Sequence, residues 1–253
     1  MYKRQKQFKL DALPLWEPSP QRTPVLYQAG ASDRGRVFAA RHAECVFVNG
    51  ANLGHAARVV TDLRARAGAR PIQVVAGATI VTAPTEPEAR DRLEEYRRHT
   101  NVEGALAHAA ASLGIDFAKF EMDQPVDASG SQGIQSNVES IASALGLGWT
   151  KRMLIDRFIL GSRQTPITGS PSQVVDAMAR WVTEADIDGF NLSRTVIPEC
   201  LEDFIDLIVP ELQNRGMFKT AYALGTYRRK LFDGGDRLPA DHPAARERWV
   251  DPL

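Results

Sequence analysis

The chain has 253 residues, and its 31 basic side chains balance its 31 acidic ones, so its formal net charge is zero. A balanced charge with no long run of one sign gives no reason to expect nucleic acid or an anionic membrane as a partner. Hydrophobic residues make up 43% of the chain and charged residues 25%, which excludes a mainly disordered protein and is typical of a soluble globular one. No apolar stretch is long enough for a transmembrane helix and no signal peptide is recognisable, so we expect a cytoplasmic protein.

Residues 1–23 are polar and interrupted by prolines, which predicts an extended lead-in. Short apolar runs and amphipathic segments then alternate. The predicted elements follow in chain order as a strand at 24–28, a helix at 34–42, a strand at 44–48, a helix at 55–67, a strand at 72–81 and a helix at 85–99. The last helix begins with the capping-box pattern Thr85-Glu-Pro-Glu88.

Residues 100–165 interrupt this alternation with helical patches at 104–113, 136–145 and 150–160 around a loop at 123–133. We interpret this stretch as a helical insertion between core units. The alternation returns with a helix at 170–184, which begins with the capping box Ser170-Pro-Ser-Gln173, a strand at 188–193 and a helix at 201–215; a basic tail covers 217–253. Four strand–helix units predict a parallel α/β fold, either a small open sheet or half of an eight-unit barrel.

The first candidate site is Gln28-Ala-Gly-Ala-Ser32, where a predicted strand ends and a helix begins. A glycine lets backbone N–H groups approach a ligand, and a serine at a helix N-terminus can hold a phosphate together with the helix dipole. The alternative is that Ser32 only caps the helix, since the short motif is neither a P-loop nor a dinucleotide fingerprint.

The second candidate site is the segment 188–195, which contains Asn191 and Ser193. Polar residues at the carboxyl end of a barrel strand face the usual active-site side, although both residues can equally cap or turn the chain. Gly161-Ser162-Arg163 is a loop that either contacts an anionic group or is simply solvated.

The segment Trp149-Thr-Lys-Arg152 has two interpretations. It is either part of a substrate lid or partner surface, or part of an amphipathic helix. The residue spacing favours the helix, with Trp149, Met153 and Leu154 packed inward and Lys151 and Arg152 in solvent.

Metal binding and hydrolase chemistry have no support in the sequence. Cys45 and Cys200 are far apart, and the five histidines show no paired spacing, so we expect reduced thiols and no metal site. A G-x-S-x-G motif is also absent, which argues against a hydrolase triad.

Longer segments resemble a known family. The stretch from Glu17 to Ser32, followed by Gly35, Phe38-Ala-Ala-Arg-His42 and Glu44-Cys-Val-Phe47, resembles the nitrilotriacetate monooxygenase component A group of the luciferase-like monooxygenases. That group also includes dibenzothiophene-sulfone and dimethylsulfide monooxygenases. The later segments that resemble it, in the same order, are 149–152, 161–163, 169–171, 188–192, 209–212 and 215–216.

The resemblance implies a TIM-type (β/α)8 barrel of the bacterial-luciferase type that binds reduced FMN (FMNH2) from a separate flavin reductase. A C4a-peroxyflavin formed with O2 would oxygenate a small organic substrate, with a slight preference for organosulfur compounds, in an enzyme that is a homo-oligomer at full length. The resemblance also implies that Ser32 contacts the FMN phosphate and that Gly30 and Ala31 add backbone contacts. Gln28 is expected to contribute less to FMN binding.

Members of this family are about twice as long and begin with about four further strand–helix units, which carry most flavin-ring contacts. We therefore expect residues 24–216 to correspond to strands 5–8, with the insertion after strand 7, in an incomplete chain whose catalytic residues cannot be assigned. A half-barrel exposes two sheet edges, so we expect it to be unstable or to aggregate and to have no turnover alone. Two alternatives stay open: a non-catalytic FMN- or phosphate-binding module, and a deazaflavin-dependent oxidoreductase of the same superfamily.

Overall fold

The computed structural model describes residues 2–4, 9–12, 15, 17, 19, 23–29, 32–49, 52–131, 133, 135–160, 164–232 and 234–246. The chain divides into two compact units, Met1–Val25 with Ala221–Leu253, and Leu26–Thr220. The strands are β1 (Tyr2–Arg4), β2 (Lys9–Asp11), β3 (Tyr27–Ala29), β4 (Cys45–Val48), β5 (Gln73–Thr82), β6 (Ile167–Gly169) and β7 (Gly189–Ser193). The helices are α1 (Asp33–His42), α2 (Leu53–Ala67), α3 (Glu86–Arg98), α4 (Val102–Leu113), α5 (Gln135–Leu145), α6 (Lys151–Phe158), α7 (Pro171–Ala185), α8 (Glu199–Asp203), α9 (Val209–Asn214) and α10 (Tyr227–Leu231). Among the described residues, no helix has the length and apolar character needed to cross a membrane.

The smaller unit contains a short antiparallel hairpin, because β1 pairs with β2 and Lys3 lies opposite Leu10. The stretch expected to be an extended lead-in therefore includes two strands. In the same unit Arg228 of α10 is 1% exposed. Its guanidinium donates to the carbonyl oxygens of Thr23 and Pro24, at 3.3 and 3.0 Å, which compensates for the burial of a charged group.

The larger unit is built on a parallel sheet whose central strand is β5. Strand β3 pairs with β4, and β4 pairs with residues 73–76 of β5, while β7 pairs with residues 75–79. Val75 and Ala76 take part in both pairings, so β4 and β7 lie on opposite sides of β5. Strand β6 pairs with residues 80–82 at the end of β5. The prediction of a parallel α/β fold is confirmed.

Two elements of the larger unit differ from the sequence-based expectation. Strand β6 makes the sheet five-stranded, and its three residues are too few to show a strand pattern. The helix expected at 201–215 consists of α8, a π-helical turn at Phe204–Ile208, and α9. Pro210 in α9 has no N–H to donate, and the N–H of Val209 reaches the carbonyl oxygen of Phe204 instead.

The two faces of the sheet differ in what covers them. Val46 and Val74 are fully buried against helices α2 and α7, in a core that includes Leu63. Alternate residues of the same strands lie on the other side, which we call the open face. The open face carries Tyr27, Phe47, Val75, Gly77, Thr79, Asn191 and Ser193. Tyr27 and Asn191 are exposed there.

Helices α4, α5 and α6 lie in the stretch where a helical insertion is expected, and they share a core. That core contains Leu113, Ile115, Phe117, Val126, Ile141, Trp149 and Leu154. The amphipathic-helix interpretation is confirmed for Trp149 and Leu154, each 4% exposed, but is wrong for Met153, which is 39% exposed. Met153 lies beside Arg152, which is at the surface and pairs with Asp123 at 2.6 Å.

Helices α1 and α8 follow the outermost strands of the sheet, and each leaves apolar side chains in solvent. Val37 and Phe38 of α1 are 49% and 54% exposed, and Leu201 of α8 and Ile205 after it are 42% and 59% exposed. Within the described residues, β3 pairs only with β4 and β7 only with β5. Exposed apolar groups clustered in this way are typical of surfaces that another protein segment covers.

These two apolar ends predict that the chain self-associates. Phe38→Glu combined with Ile205→Glu places a charge at each end and should lower the average mass measured by light scattering. Leu147→Glu is the matched control, because Leu147 is an exposed apolar residue that lies outside both ends. A monomeric wild-type chain, or the same mass for all three proteins, would be incompatible with this prediction.

His55, in the first turn of α2, predicts a loss of stability in mild acid. Its Nε2 is buried and has no hydrogen-bond partner among the described residues. Burial and then the positive charge of Arg58 lower the pKa of His55 from its ordinary value of 6.5. The unfolded chain therefore takes up a proton at higher pH than the folded chain, and stability is lost as the pH falls below about 6.5. Between about pH 7.5 and 5.5, we expect the midpoint of thermal unfolding to fall less in His55→Gln than in the wild type. Equal decreases in the two proteins would show that His55 does not cause the loss of stability.

Candidate functional site

The carboxyl ends of parallel strands lie at one edge of the sheet, which we call the carboxyl edge. Four helices begin after strands that end there, and they are capped by Ser32, Asn52, Thr85 and Ser170. The capping boxes predicted at Thr85 and Ser170 are confirmed. The first N–H groups of a helix lack acceptors within it, so this edge is suited to bind an anion.

Ser32 lies at the carboxyl edge and is exposed. Its Oγ accepts the N–H of Gly35 at 3.2 Å, and its carbonyl oxygen accepts the N–H of Arg36 at 2.8 Å. These bonds confirm that Ser32 caps α1, but they do not use its hydroxyl proton. The N–H groups of Asp33 and Arg34 have no acceptor within the helix. A cap of this kind still offers three donors to an anion.

A small ion network surrounds the start of α1. The carboxylate of Asp33 pairs with Arg66 at 2.7 Å, and the carboxylate of Asp62 accepts from Arg36 at 2.5 Å and from Arg66 at 2.8 Å. Desolvation opposes the ionisation of Asp62, but the hydrogen bonds from Arg66 and Arg36 hold its pKa below its ordinary value. Arginine side chains thus balance the charges of both carboxylates. The carboxylates therefore do not strongly repel a phosphate beside Ser32.

The other residues of the first candidate motif are placed differently. Gln28 pairs in register with Val46, so its side chain lies on the helix-covered side of the sheet. Its Nε2 donates to the carbonyl oxygen of Ala29 at 3.1 Å, which counts against a ligand contact from this side chain. Gly30 and Ala31 lie outside the described residues, and their expected backbone contacts stay predictions.

Two aromatic rings cover the part of the open face next to β3. Tyr27 and Phe47 stack with their centroids 5.1 Å apart and their planes 22° apart. Tyr27 is 38% exposed and Phe47 is half-buried. Stacked rings form a rigid apolar surface that can pack against a flat ligand and exclude water from it.

Gln164 is a residue of the open face that sequence reasoning missed. Its Oε1 accepts hydrogen bonds from the hydroxyls of Thr79 at 3.2 Å and Ser193 at 3.1 Å. Its Nε2 lies against Gly77, where an added Cβ would overlap it. These contacts join β5 to β7 and fix the orientation of the amide. No motif marks Gln164, and the Gly161-Ser162-Arg163 loop before it lies outside the described residues.

The second candidate segment is divided between the two ends of β7. Asn191 and Ser193 lie on the open face, towards the carboxyl edge. Asp188 lies at the opposite end, where its Oδ2 accepts the N–H of Val74 at 2.6 Å and pairs with Arg64 at 3.0 Å. Asp188 therefore has a structural role, the Ser193 hydroxyl donates to Gln164, and the side chain of Asn191 is exposed on the open face.

Glycine at position 77 is predicted to be required for full stability, because the amide of Gln164 fills the space that a side chain would need. Gly77→Ala should lower the free energy of unfolding by about 1–3 kcal/mol, as overpacking does. Gly189→Ala is the matched control, since an added Cβ on this neighbouring strand meets nothing within 4 Å. Chemical denaturation measures the free energy of unfolding of both variants. A similar decrease in the two variants would contradict the proposed role of Gln164.

Comparison with known proteins places this chain in a family. The sequence profile of the luciferase-like monooxygenases matches residues 4–188. The long-chain alkane monooxygenase of Geobacillus thermodenitrificans (strain NG80-2) is 41% identical over 251 residues, which cover 97% of this chain and 53% of that protein. The dimethyl-sulfide monooxygenase of Hyphomicrobium sulfonivorans is 38% identical over 250 residues, 96% of this chain and 52% of that protein. The crystal structure of riboflavin lyase (RcaE) with modified FMN and riboflavin has a TM-score of 0.83 at 32% identity, covering 97% of this chain and 55% of that one.

The chain spans about half the length of the curated relatives it matches. Over that length the likeness is continuous in sequence and in structure, and it confirms the predicted α/β fold of the bacterial-luciferase TIM-barrel type. The profile alone covers well over half of the chain. This chain belongs to the luciferase-like monooxygenase family.

Proposed function

We propose that this chain supplies the phosphate end and one wall of the cofactor site of an FMN-dependent monooxygenase. The enzyme takes reduced FMN (FMNH2) from a separate flavin reductase, uses O2 as co-substrate and transfers one oxygen atom to a small organic molecule. The observation that carries the proposal is the set of donors at Ser32, at the carboxyl edge of a chain that belongs to the luciferase-like monooxygenases.

The residues at the start of α1 fit a phosphate group. The hydroxyl proton of Ser32 and the N–H groups of Asp33 and Arg34 are adjacent donors, and the dipole of the ten-residue helix α1 adds attraction for an anion. Arg36 pairs with the carboxylate of Asp62 and Arg66 with that of Asp33, so neither carboxylate presents an unpaired negative charge to the anion. Reduced FMN, when bound, supplies the electrons that activate O2.

The open face fits the ring end of the same cofactor. From β3 it extends across β4 and β5 to β7, roughly 14 Å at the usual spacing of strands. Tyr27, Phe47 and Val75 give it an apolar surface near Ser32, and Gln164 and Asn191 give it polar groups further away. The task of these residues is to orient the ring and keep water from it.

The proposed substrate is a small organic molecule of low polarity, with organosulfur compounds as the favoured class. One relative is named for dimethyl sulfide and another for long-chain alkanes. Both names describe weakly polar molecules without a charged group for the protein to bind, which agrees with the apolar surface that Tyr27, Phe47 and Val75 form on the open face. We assign no catalytic residue in this chain.

The binding of FMN and of riboflavin, which lacks the phosphate, separates the two ends of the proposed site. We expect FMN to bind at least roughly tenfold more tightly, because a hydrogen bond to a charged group contributes about 1.5–3 kcal/mol. Ser32→Asp keeps the helix cap but places a negative charge at the phosphate. It should therefore weaken FMN binding strongly and leave riboflavin binding unchanged in a fluorescence titration.

Ser170→Asp is the matched control, because Ser170 also caps a helix at the carboxyl edge. Equal affinities for FMN and riboflavin, or equal losses of FMN affinity in the two variants, would refute the phosphate site. Stable expression of the chain alone, with FMN bound but not consumed, would favour a non-catalytic binding module. Tighter binding of a deazaflavin than of FMN would favour a deazaflavin-dependent oxidoreductase.

A further inference from the structure

The helices that follow the two outermost strands carry exposed faces of opposite charge. On α1, four exposed residues at positions i, i+3, i+4 and i+7 share one side of the helix. They form what we call the basic face: Arg34, Val37, Phe38 and Arg41. On α8 and the π-helical turn after it, four exposed residues form what we call the acidic face: Leu201, Glu202, Ile205 and Asp206. Each face thus combines two apolar side chains with two charges of one sign.

The charges of the two faces are not used within the described part of the chain. Arg36 of α1 pairs with Asp62 of α2, and Asp203 of α8 binds Arg92 of α3. Among the described residues, the charged side chains of the basic and acidic faces take part in no such ion pair. Apolar side chains beside unpaired charges of one sign are suited to bind a protein surface of the opposite sign.

The strands next to these faces are unpaired on their outer sides. Strands β3, β4, β5 and β7 are parallel and lie side by side in that order. Among the described residues, β3 pairs only with β4 and β7 only with β5, so each leaves one edge open to another strand. Eight parallel strands form a closed barrel of the TIM type, and two copies of this chain supply that number.

We propose that the basic and acidic faces bind a second copy of this chain, so that two copies close one eight-stranded barrel. Strand β3 of one protomer lies beside β7 of its partner, and the basic face of each protomer packs against the acidic face of the other. A twofold axis along the barrel relates the two copies and keeps all eight strands parallel. The pairing needs no flavin, so it does not depend on the proposed function.

The opposite signs of the faces determine which surfaces meet. Two basic faces or two acidic faces would repel each other, whereas a basic face and an acidic face attract. Each copy has one face of each sign, at opposite edges of its sheet. Two copies therefore cover both faces of each other in two equivalent contacts, and the assembly is a closed dimer instead of an open chain of copies.

The test reverses the charges of one face at a time and measures the dissociation constant of the dimer by analytical ultracentrifugation. One variant combines Arg34→Glu with Arg41→Glu, and the other combines Glu202→Lys with Asp206→Lys. In each variant like charges meet at both contacts, so the dissociation constant should rise at least about tenfold. In an equimolar mixture of the two variants opposite charges meet again at both contacts, so a mixed dimer should form.

Arg98→Glu combined with Arg237→Glu is the matched control, because it reverses two exposed arginines outside both faces and changes the net charge equally. The control should dimerise as the wild type does. If circular dichroism shows that a double variant fails to fold, the single variants Arg41→Glu and Asp206→Lys replace the two double variants.

A wild-type dimer that each reversal weakens and that the mixture restores would support the proposal. It is overturned if the wild type is a monomer, if its mass grows without limit as the concentration rises, if neither reversal weakens the dimer, or if the mixture stays monomeric. A monomer that binds a separate chain carrying the rest of its relatives' length would assign both faces to that chain instead.

Discussion

The parallel pairing of the ten-residue strand β5 determines where the groups of the open face lie. It pairs with β4 at its start, with β7 in its middle and with β6 at its end. Strand β4 pairs only as far as Ala76, and the second half of β5 extends beyond it. Gln164 lies over that half, where it accepts from Thr79 and Ser193, and Gly77 leaves the space that its amide needs.

The two ends of the sheet carry different polar groups. At the amino end guanidinium groups bind oxygen atoms, as Arg64 binds Asp186 and Asp188 and Arg70 binds carbonyl oxygens at the end of α1. Cations are favourable at the carbonyl end of a helix, so these contacts stabilise the fold. The carboxyl edge instead offers hydroxyl groups and helix N-termini, with Ser32 among them. Stability at one end and ligand binding at the other is the usual division in TIM barrels.

Features that depend on neighbouring residues could be predicted from the sequence. The helix starts at Thr85 and Ser170 follow from contacts over three positions, and so does the cap that Ser32 forms on α1. The role of Gln164 depends on Thr79, which lies 85 residues away, and so requires the strand register.

The central claim is that the phosphate of a bound flavin lies at Ser32, and a crystal structure of the chain with FMN tests it most directly. We predict phosphate oxygens within hydrogen-bond distance of the Ser32 hydroxyl and of the N–H groups of Asp33 and Arg34, with the ring over Phe47 on the open face. A phosphate bound at another helix start, such as the one capped by Asn52, with nothing at Ser32, would contradict the claim.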